Sequence, residues 1–309
     1  MHIIRYLDRA TRTVHVGVDR GGEVSPLDVR TLGELLSRPL DEIRALVERT
    51  DTGEHHRPEI TLLPPADGCI EVWAAGVTYR RSKDARVEES LLSQVYELVY
   101  DAPRPELFFK SVPWRVVTDG EPIAVRRDSP LNVPEAELAL AVNARGEMVG
   151  YAVCNDVSSR SIEGANPIYL PQAKIYAGSC ALSTGIRPIW EIGRADDLTI
   201  DVTVHRKSEP VWSGSTSTAH MRRTFEDLVG CLFEEQQFPD GVIISTGTGA
   251  VPPIDFTLLP GDVVKIQIDQ IGTLTNPVVS GKTSFGWLAK AALDPFTRSA
   301  GGSGLPGGR

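Results

Sequence analysis

Three carboxylates are the residues best suited to chemistry in this chain: Glu135 and Glu137 in Pro134-Glu135-Ala136-Glu137-Leu138-Ala139-Leu140-Ala141-Val142, and Asp156 in Cys154-Asn155-Asp156-Val157-Ser158-Ser159-Arg160. Residues two apart on a strand point to the same face, so Glu135 and Glu137 can converge on one point. Hard oxygen ligands without His or Cys suit Mg²⁺ or Mn²⁺ rather than Zn²⁺. The same residues also fit a plainer account, two strand-end glutamates and a capping aspartate.

The elements around them decide whether they can meet. Leu138, Leu140 and Val142 alternate with Ala139 and Ala141, and both sets are apolar, which predicts a strand buried on both faces. Val149 to Val153 reads as the returning strand of a hairpin turned at Ala144-Arg145-Gly146-Glu147, and it carries Asp156 back toward the glutamates. Upstream, Ile3 to Asp8 and Thr13 to Asp19 are expected as paired strands. Leu32, Leu35, Leu36, Leu40, Ile43, Leu46 and Val47 recur at helical spacing over 32–50, with Pro39 dividing the helix in two. Ile70 to Gly76 reads as a strand and Arg80 to Tyr100 as a helix. From Glu106 onward short strands alternate with Gly/Pro turns, interrupted by a short helix at Thr224 to Val229. The expected organisation is a small α+β domain over 1–68, a larger β-rich α+β body over 69–298, and a flexible Gly-rich tail over 299–309.

Bulk properties narrow the function classes. The net charge of -9 over 309 residues argues against a nucleic-acid partner, which calls for a basic surface. It leaves room for an anionic small molecule, because a bound cation inverts the local field. No apolar run has the length of a membrane span and no secretory signal is visible, so the expectation is a cytoplasmic protein without a membrane partner. Cys69, Cys154, Cys180 and Cys231 show no CxxC spacing and are expected as buried free thiols. The histidines, among them His55, His56, His205 and His220, show no zinc-like spacing.

Taken in order, Glu135-Ala136-Glu137, Asn155 to Arg160, Ser245-Thr246-Gly247-Thr248, Pro260-Gly261-Asp262 and Ile271 to Asn276 resemble the fumarylacetoacetate hydrolase superfamily, over about Glu71 to Val279. The resemblance implies a mixed β-roll, a homodimer or homotetramer, and a divalent metal held by Glu135, Glu137 and Asp156. It also implies 2-keto acid substrates. The C–C bond hydrolases of that superfamily carry a Tyr-x-x-His-x-x-Glu element that activates water. Here the stretch reads Tyr79-Arg80-Arg81-Ser82-Lys83-Asp84-Ala85, and neither Ser82 nor Ala85 can act as that base. Pro105 to Lys110 and Ser161 to Lys174 are instead similar to the branch that dehydrates 2-keto-3-deoxy-D-arabinonate to 2,5-dioxopentanoate, with Ala165-Asn166 where Glu-Asn is usual.

A 2-keto acid bound to Mg²⁺ through its ketone has acidified C3 hydrogens, and elimination then needs a proton-transfer group and positive charge at the enolate. Glu106, beside the apolar Leu107-Phe108-Phe109 run, is the candidate for proton transfer. Lys174 is expected to bind substrate oxygens or stabilise the enolate. Lys110 either shares that role or pairs with a metal-site carboxylate. Gly247 and Thr248 offer N–H and hydroxyl groups for the substrate carboxylate, or form an ordinary strand-to-strand turn. Arg160 and Glu163 are candidates for substrate contact or for a structural ion pair. Three functions follow: the dehydratase, an acylpyruvase-like C–C hydrolase whose base lies elsewhere, and a metabolite-binding protein without turnover.

Overall fold

Alternation of side chains lays down the framework. In the computed structural model, which describes residues 1–50, 55–56, 59–89, 98–192 and 195–298, the Leu138-Ala139-Leu140-Ala141-Val142 run lies in a strand buried on both faces. Leu138, Leu140 and Val142 enter one hydrophobic core, and Ala139 and Ala141 enter a second on the opposite side of the sheet.

The chain begins with strands β1 (His2–Asp8), β2 (Thr13–Arg20) and β3 (Glu23–Pro26), followed by helices α1 (Leu32–Leu36) and α2 (Leu40–Arg49). Pro39 separates the two helices as expected, because it lacks the N–H that a continuous helix would use. Then come β4 (His55–His56), β5 (Ile60–Leu63), β6 (Glu71–Gly76), α3 (Arg80–Glu89), β7 (Glu106–Ser111) and β8 (Ile123–Val125). Of the helix expected over 80–100, residues 80–89 and 98–100 are helical, and 90–97 lie outside the described residues. The central hairpin is β9 (Ala136–Val142) with β10 (Met148–Asp156), followed by α4 (Arg160–Ala165), α5 (Leu170–Lys174), β11 (Cys180–Leu182) and β12 (Gly185–Pro188). The remainder comprises β13 (Thr199–Arg206), β14 (Glu209–Ser217), α6 (Phe225–Phe233), β15 (Val242–Ser245), β16 (Val263–Ile268), β17 (Gly272–Ser280) and α7 (Gly286–Leu293). Helix α6 starts at Thr224, whose hydroxyl accepts from the Asp227 N–H while the Asp227 carboxylate accepts from the Thr224 N–H. The expected tail over 299–309 lies outside the described residues.

Among the described residues these strands form a mixed α+β architecture of two sheets. The larger has the path β4-β3-β2-β1-β12-β10-β9-β15-β6-β7, with β11 beside β10 and β5 beside β1; the smaller runs β14-β13-β16-β17-β8. The first core lies between the two sheets, where Leu138, Val153 and Ile244 meet Ile200, Ile266 and Leu274. The second lies under α1 and α2, whose Leu35, Leu36, Ile43 and Val47 cover Ala139, Ala152 and Ile243.

Two cysteines depart from expectation. Cys154 and Cys180 are buried as free thiols, but Cys69 is exposed and Cys231 half-buried, because their segments sit at turn and helix surfaces rather than in the cores. A hydrogen bond with Cys180, together with burial, pushes the Cys154 thiol well above its ordinary range.

Candidate active site

Strand parity puts the carboxylates together. Glu137 shares the face of Ala139 and Ala141 on β9, and Asp156 shares the face of Ala152 and Cys154 on β10. The hairpin ladder runs past the strand ends: the Asp156 N–H donates to the Glu135 carbonyl at 3.0 Å, and Val133 and Ser158 exchange a pair of bonds at 2.9 and 3.0 Å. The Asn155 side-chain oxygen accepts the Glu135 N–H at 3.2 Å. Carboxylate oxygens of Glu135, Glu137 and Asp156 consequently lie within 4.8 Å of one another, all three residues being buried.

Two lysines face this charge. The Lys174 ammonium, at the end of α5, donates to Glu135 Oε2 at 2.6 Å and Asp156 Oδ2 at 3.0 Å. Lys110, from β7, pairs with Asp156 Oδ1 at 2.5 Å and also donates to the carbonyls of Lys174 and Val157. Three carboxylates against two ammoniums leave a net negative charge in a desolvated site. Burial, followed by the repulsion of Asp156 and Glu135, pushes the Glu137 carboxyl well above the usual carboxylate range. Glu137 is nonetheless fixed in place, since Oε2 accepts from Ser245 Oγ at 2.6 Å and from the Gly247 N–H at 2.8 Å. A divalent cation fits this donor set: the oxygens converge, the ligands are hard, and the residual charge is negative.

The triad forms one wall of a cavity also lined by Glu106, Phe108, Glu163, Lys174, Gly247 and Thr248. Glu106 stands opposite Gly76 in the β6–β7 ladder, and its carboxylate lies over that glycine, where an added Cβ would come within 2.1 Å of Oε2. Gly247 takes φ +91°, and a Cβ there would fall 2.1 Å from Thr78 Oγ1. Thr78 Oγ1 in turn donates to the Thr246 carbonyl at 2.6 Å, which ties α3's approach to the turn after β15. An adjoining cavity shares Ser82, Glu135 and Thr248, and adds Ala85 and Arg160.

Of the residues expected from sequence, Glu106, Lys174, Gly247 and Thr248 meet the triad in one cavity. Lys110 does not line it; its side chain is fully buried behind Asp156. Arg160 lies in the adjoining cavity, where its guanidinium donates to the carbonyls of Pro252 and Pro253. Ser82 and Ala85 face the same space, so the positions of the hydrolase pair hold a hydroxyl and a methyl group. Ala165 is exposed, and the departure at that position does not reach the cavity. Sequence reading did not single out Gly76, Phe108 or Ser245 for the site. Only the pairing of β6 with β7 and of β15 with β9 reveals them, though a glycine ending a strand is a signal of close approach.

The family described as "Fumarylacetoacetate (FAA) hydrolase C-terminal" matches residues 71–279. The chain belongs to this family. A "Probable 2-keto-3-deoxyxylonate dehydratase" of Haloferax volcanii is 42% identical over 260 residues, covering 82% of this chain and 89% of that protein. A "2-dehydro-3-deoxy-D-arabinonate dehydratase" of Saccharolobus solfataricus is 43% identical over 224 residues, covering 71% of this chain and 75% of that protein. Among solved structures, a 2-keto-3-deoxy-D-arabinonate dehydratase complexed with magnesium and 2,5-dioxopentanoate superposes with a TM-score of 0.79 at 36% identity, over 91% of this chain and the whole of that one. Solved structures near 20% identity, such as a 5-carboxymethyl-2-hydroxymuconate delta-isomerase from Mycobacterium smegmatis at a TM-score of 0.65, share the fold.

Proposed function

We propose that this family member is a Mg²⁺-dependent hydro-lyase that converts a 2-keto-3-deoxy sugar acid, such as 2-keto-3-deoxy-D-arabinonate, into 2,5-dioxopentanoate. The carrying observation is the convergence of Glu106 and Lys174 on the cavity of the carboxylate triad, with Ser82 and Ala85 at the places of the hydrolase base. Glu135, Glu137 and Asp156 would hold Mg²⁺, and Mn²⁺ would suit the same oxygens. When bound, the ion withdraws electron density from the substrate ketone and so acidifies the C3 hydrogens.

The chain's own groups then handle protons and charge. Glu106 takes the C3 proton and returns it to the C4 hydroxyl as that oxygen departs as water, which leaves a C3=C4 enone. A proton moves from C5 to C3, and the C5 enol becomes the aldehyde as its hydroxyl proton passes to C4. Lys174 supplies positive charge beside the forming enolate. Thr248 presents its hydroxyl to the substrate carboxylate, the Gly247 N–H holds Glu137 beside it, and Phe108 covers the cavity with an apolar ring. Lys110 holds Asp156 in position, and Arg160 fixes the Pro252–Pro253 turn beside the site. A homodimer or homotetramer in the cytoplasm belongs to the same proposal, and the free thiols of Cys154 and Cys180 suit a reducing compartment. Among the described residues no helix is long and apolar enough to cross a membrane.

The test is Mg²⁺-dependent turnover of 2-keto-3-deoxy-D-arabinonate and acetylpyruvate side by side, in the native protein and in Glu106→Gln. Aldehyde formation from the sugar acid alone, falling by about 10²–10⁴-fold in the variant at unchanged Mg²⁺ affinity, is the expected result. Cleavage of acetylpyruvate alone would replace the dehydratase by a C–C hydrolase.

A further inference from the structure

A second cavity, of about 650 Å³, is lined by Arg115, Arg126, Arg127, Lys282, Tyr176 and Asp128 together with a few small residues. None of its lining residues lines the cavity of the carboxylate triad. Its charge is unusual for a chain of net charge -9: four cations face a single carboxylate. That carboxylate is already committed, since Asp128 accepts from Arg126 Nε at 2.8 Å and from Nη2 at 2.6 Å. Arg127 and Lys282 have no acidic partner among the described residues, and Arg115 only packs its guanidinium against the Trp114 ring at 4.9 Å.

The cations differ in how firmly they are placed: Arg127 is exposed and rests against backbone, whereas Arg126 is fixed by hydrogen bonds. Arg127 lies along Gly281, where φ is +70° and an added Cβ would come within 2.8 Å of Nε. The Gly281 N–H donates to the Val125 carbonyl at 2.9 Å, which fixes that floor. Arg126 donates to the Gln172 carbonyl at 2.9 Å and stacks over the Tyr176 ring at 5.4 Å. Val125, Ala177 and the Tyr176 ring supply apolar surface beside the cations.

We propose that this cavity binds the phosphate ester of a small metabolite, at a site separate from the reaction centre. A phosphate dianion matches the surplus of positive charge, and guanidinium groups suit its oxygens through paired N–H donors. The volume lies within the range of small-molecule sites, and the Tyr176 side gives the organic part a surface to lie on. Arg126 contacts Gln172 and Tyr176, which flank Lys174 in the chain, so the occupied site borders the segment that carries the proposed enolate-stabilising lysine.

The experiment is calorimetric titration of the Mg²⁺-loaded native protein, Arg127→Ala and Lys282→Ala with glucose 6-phosphate, inorganic phosphate and glucose. Expected are binding of glucose 6-phosphate with a Kd below about 1 mM, no heat from glucose, and affinity about tenfold weaker in each variant. Both variants should turn over substrate at the native rate in the absence of phosphate, which separates this site from the reaction centre. Unchanged titration in both variants would overturn the proposal, as would no binding of either phosphate at about 10 mM. A change of oligomeric state in the variants without a change in phosphate binding would overturn it too, by assigning the cavity to contact between copies of the chain.

Discussion

Replacing Lys174 by Met removes a buried cation while keeping an unbranched side chain of similar reach. In the native protein its ammonium lies 2.6 Å from Glu135 and 3.0 Å from Asp156, with all three side chains at most 10% exposed. At an effective dielectric of about 20, each contact corresponds to roughly 6 kcal/mol of Coulomb attraction. Desolvation offsets much of this, and removing one partner of a buried pair costs about 3–5 kcal/mol. Lys110 remains 2.5 Å from Asp156, so the loss falls mainly on Glu135 and belongs at the low end, about 3 kcal/mol. For a chain of 309 residues that lowers Tm by about 5 °C. Calorimetry with and without Mg²⁺ is the assay. The metal-free variant should melt well below the native protein, and saturating Mg²⁺ should narrow the gap, since a bound ion restores positive charge and stabilises by mass action. Turnover should fall by about 10²–10³-fold even when Mg²⁺ saturates. A metal-free Lys174→Met protein with native Tm would refute the electrostatic reasoning; native turnover would remove Lys174 from the chemistry.

Gly76→Ala places a methyl group where the Glu106 carboxylate lies, and that flexible end can swing aside. Its kcat should fall about tenfold or more with Tm nearly unchanged, and a large drop in Tm with unaltered kcat would show that the glycine serves only the sheet. His2 is half-buried, with its pKa below 6.5 chiefly through desolvation, and its neutral ring donates from Nε2 to the Ile271 carbonyl at 2.8 Å. A depressed pKa means that the unfolded chain binds the proton more readily. The contribution is therefore complete above 6.5 and is lost as pH falls through the folded pKa. His2→Gln should flatten this part of the stability profile between neutral pH and mild acid, and an unchanged slope in chemical-denaturation curves would exclude His2 as its source.

Local periodicity made a good part of this architecture legible. The apolar alternation at 138–142 implied burial on both faces, and the structure divides those residues between two cores. Pro39 marked the break between α1 and α2, and the 144–147 turn returned Asp156 to the glutamates. What could not be read is long-range pairing. That Ser245 and Gly247 restrain Glu137 depends on β15 lying beside β9, about a hundred residues away in the chain. The position of Glu106 over Gly76 depends on the β6–β7 ladder, and Lys110 could not be placed behind Asp156 without it. Arg160, four residues after Asp156, left substrate contact and a structural ion pair both open from sequence, and its guanidinium reaches two carbonyls that only the folded chain brings near.

The carboxylate triad and Glu106, the glutamate proposed for proton transfer, occupy unequal positions in the large sheet. Glu137 and Asp156 sit on β9 and β10, each flanked by strands on both sides, so a one-residue slip there would turn these carboxylates into the opposite core along with every neighbouring side chain. Glu106 begins β7, which ends the sheet and has a single neighbouring strand among the described residues. That strand nonetheless reaches inward, since Leu107 packs against the first core and Lys110 pairs with Asp156. The border strand is therefore tied to the centre: a shift of β7 that moved Glu106 would also pull Lys110 from Asp156, so the proposed proton-transfer group and the proposed ion site can only change together.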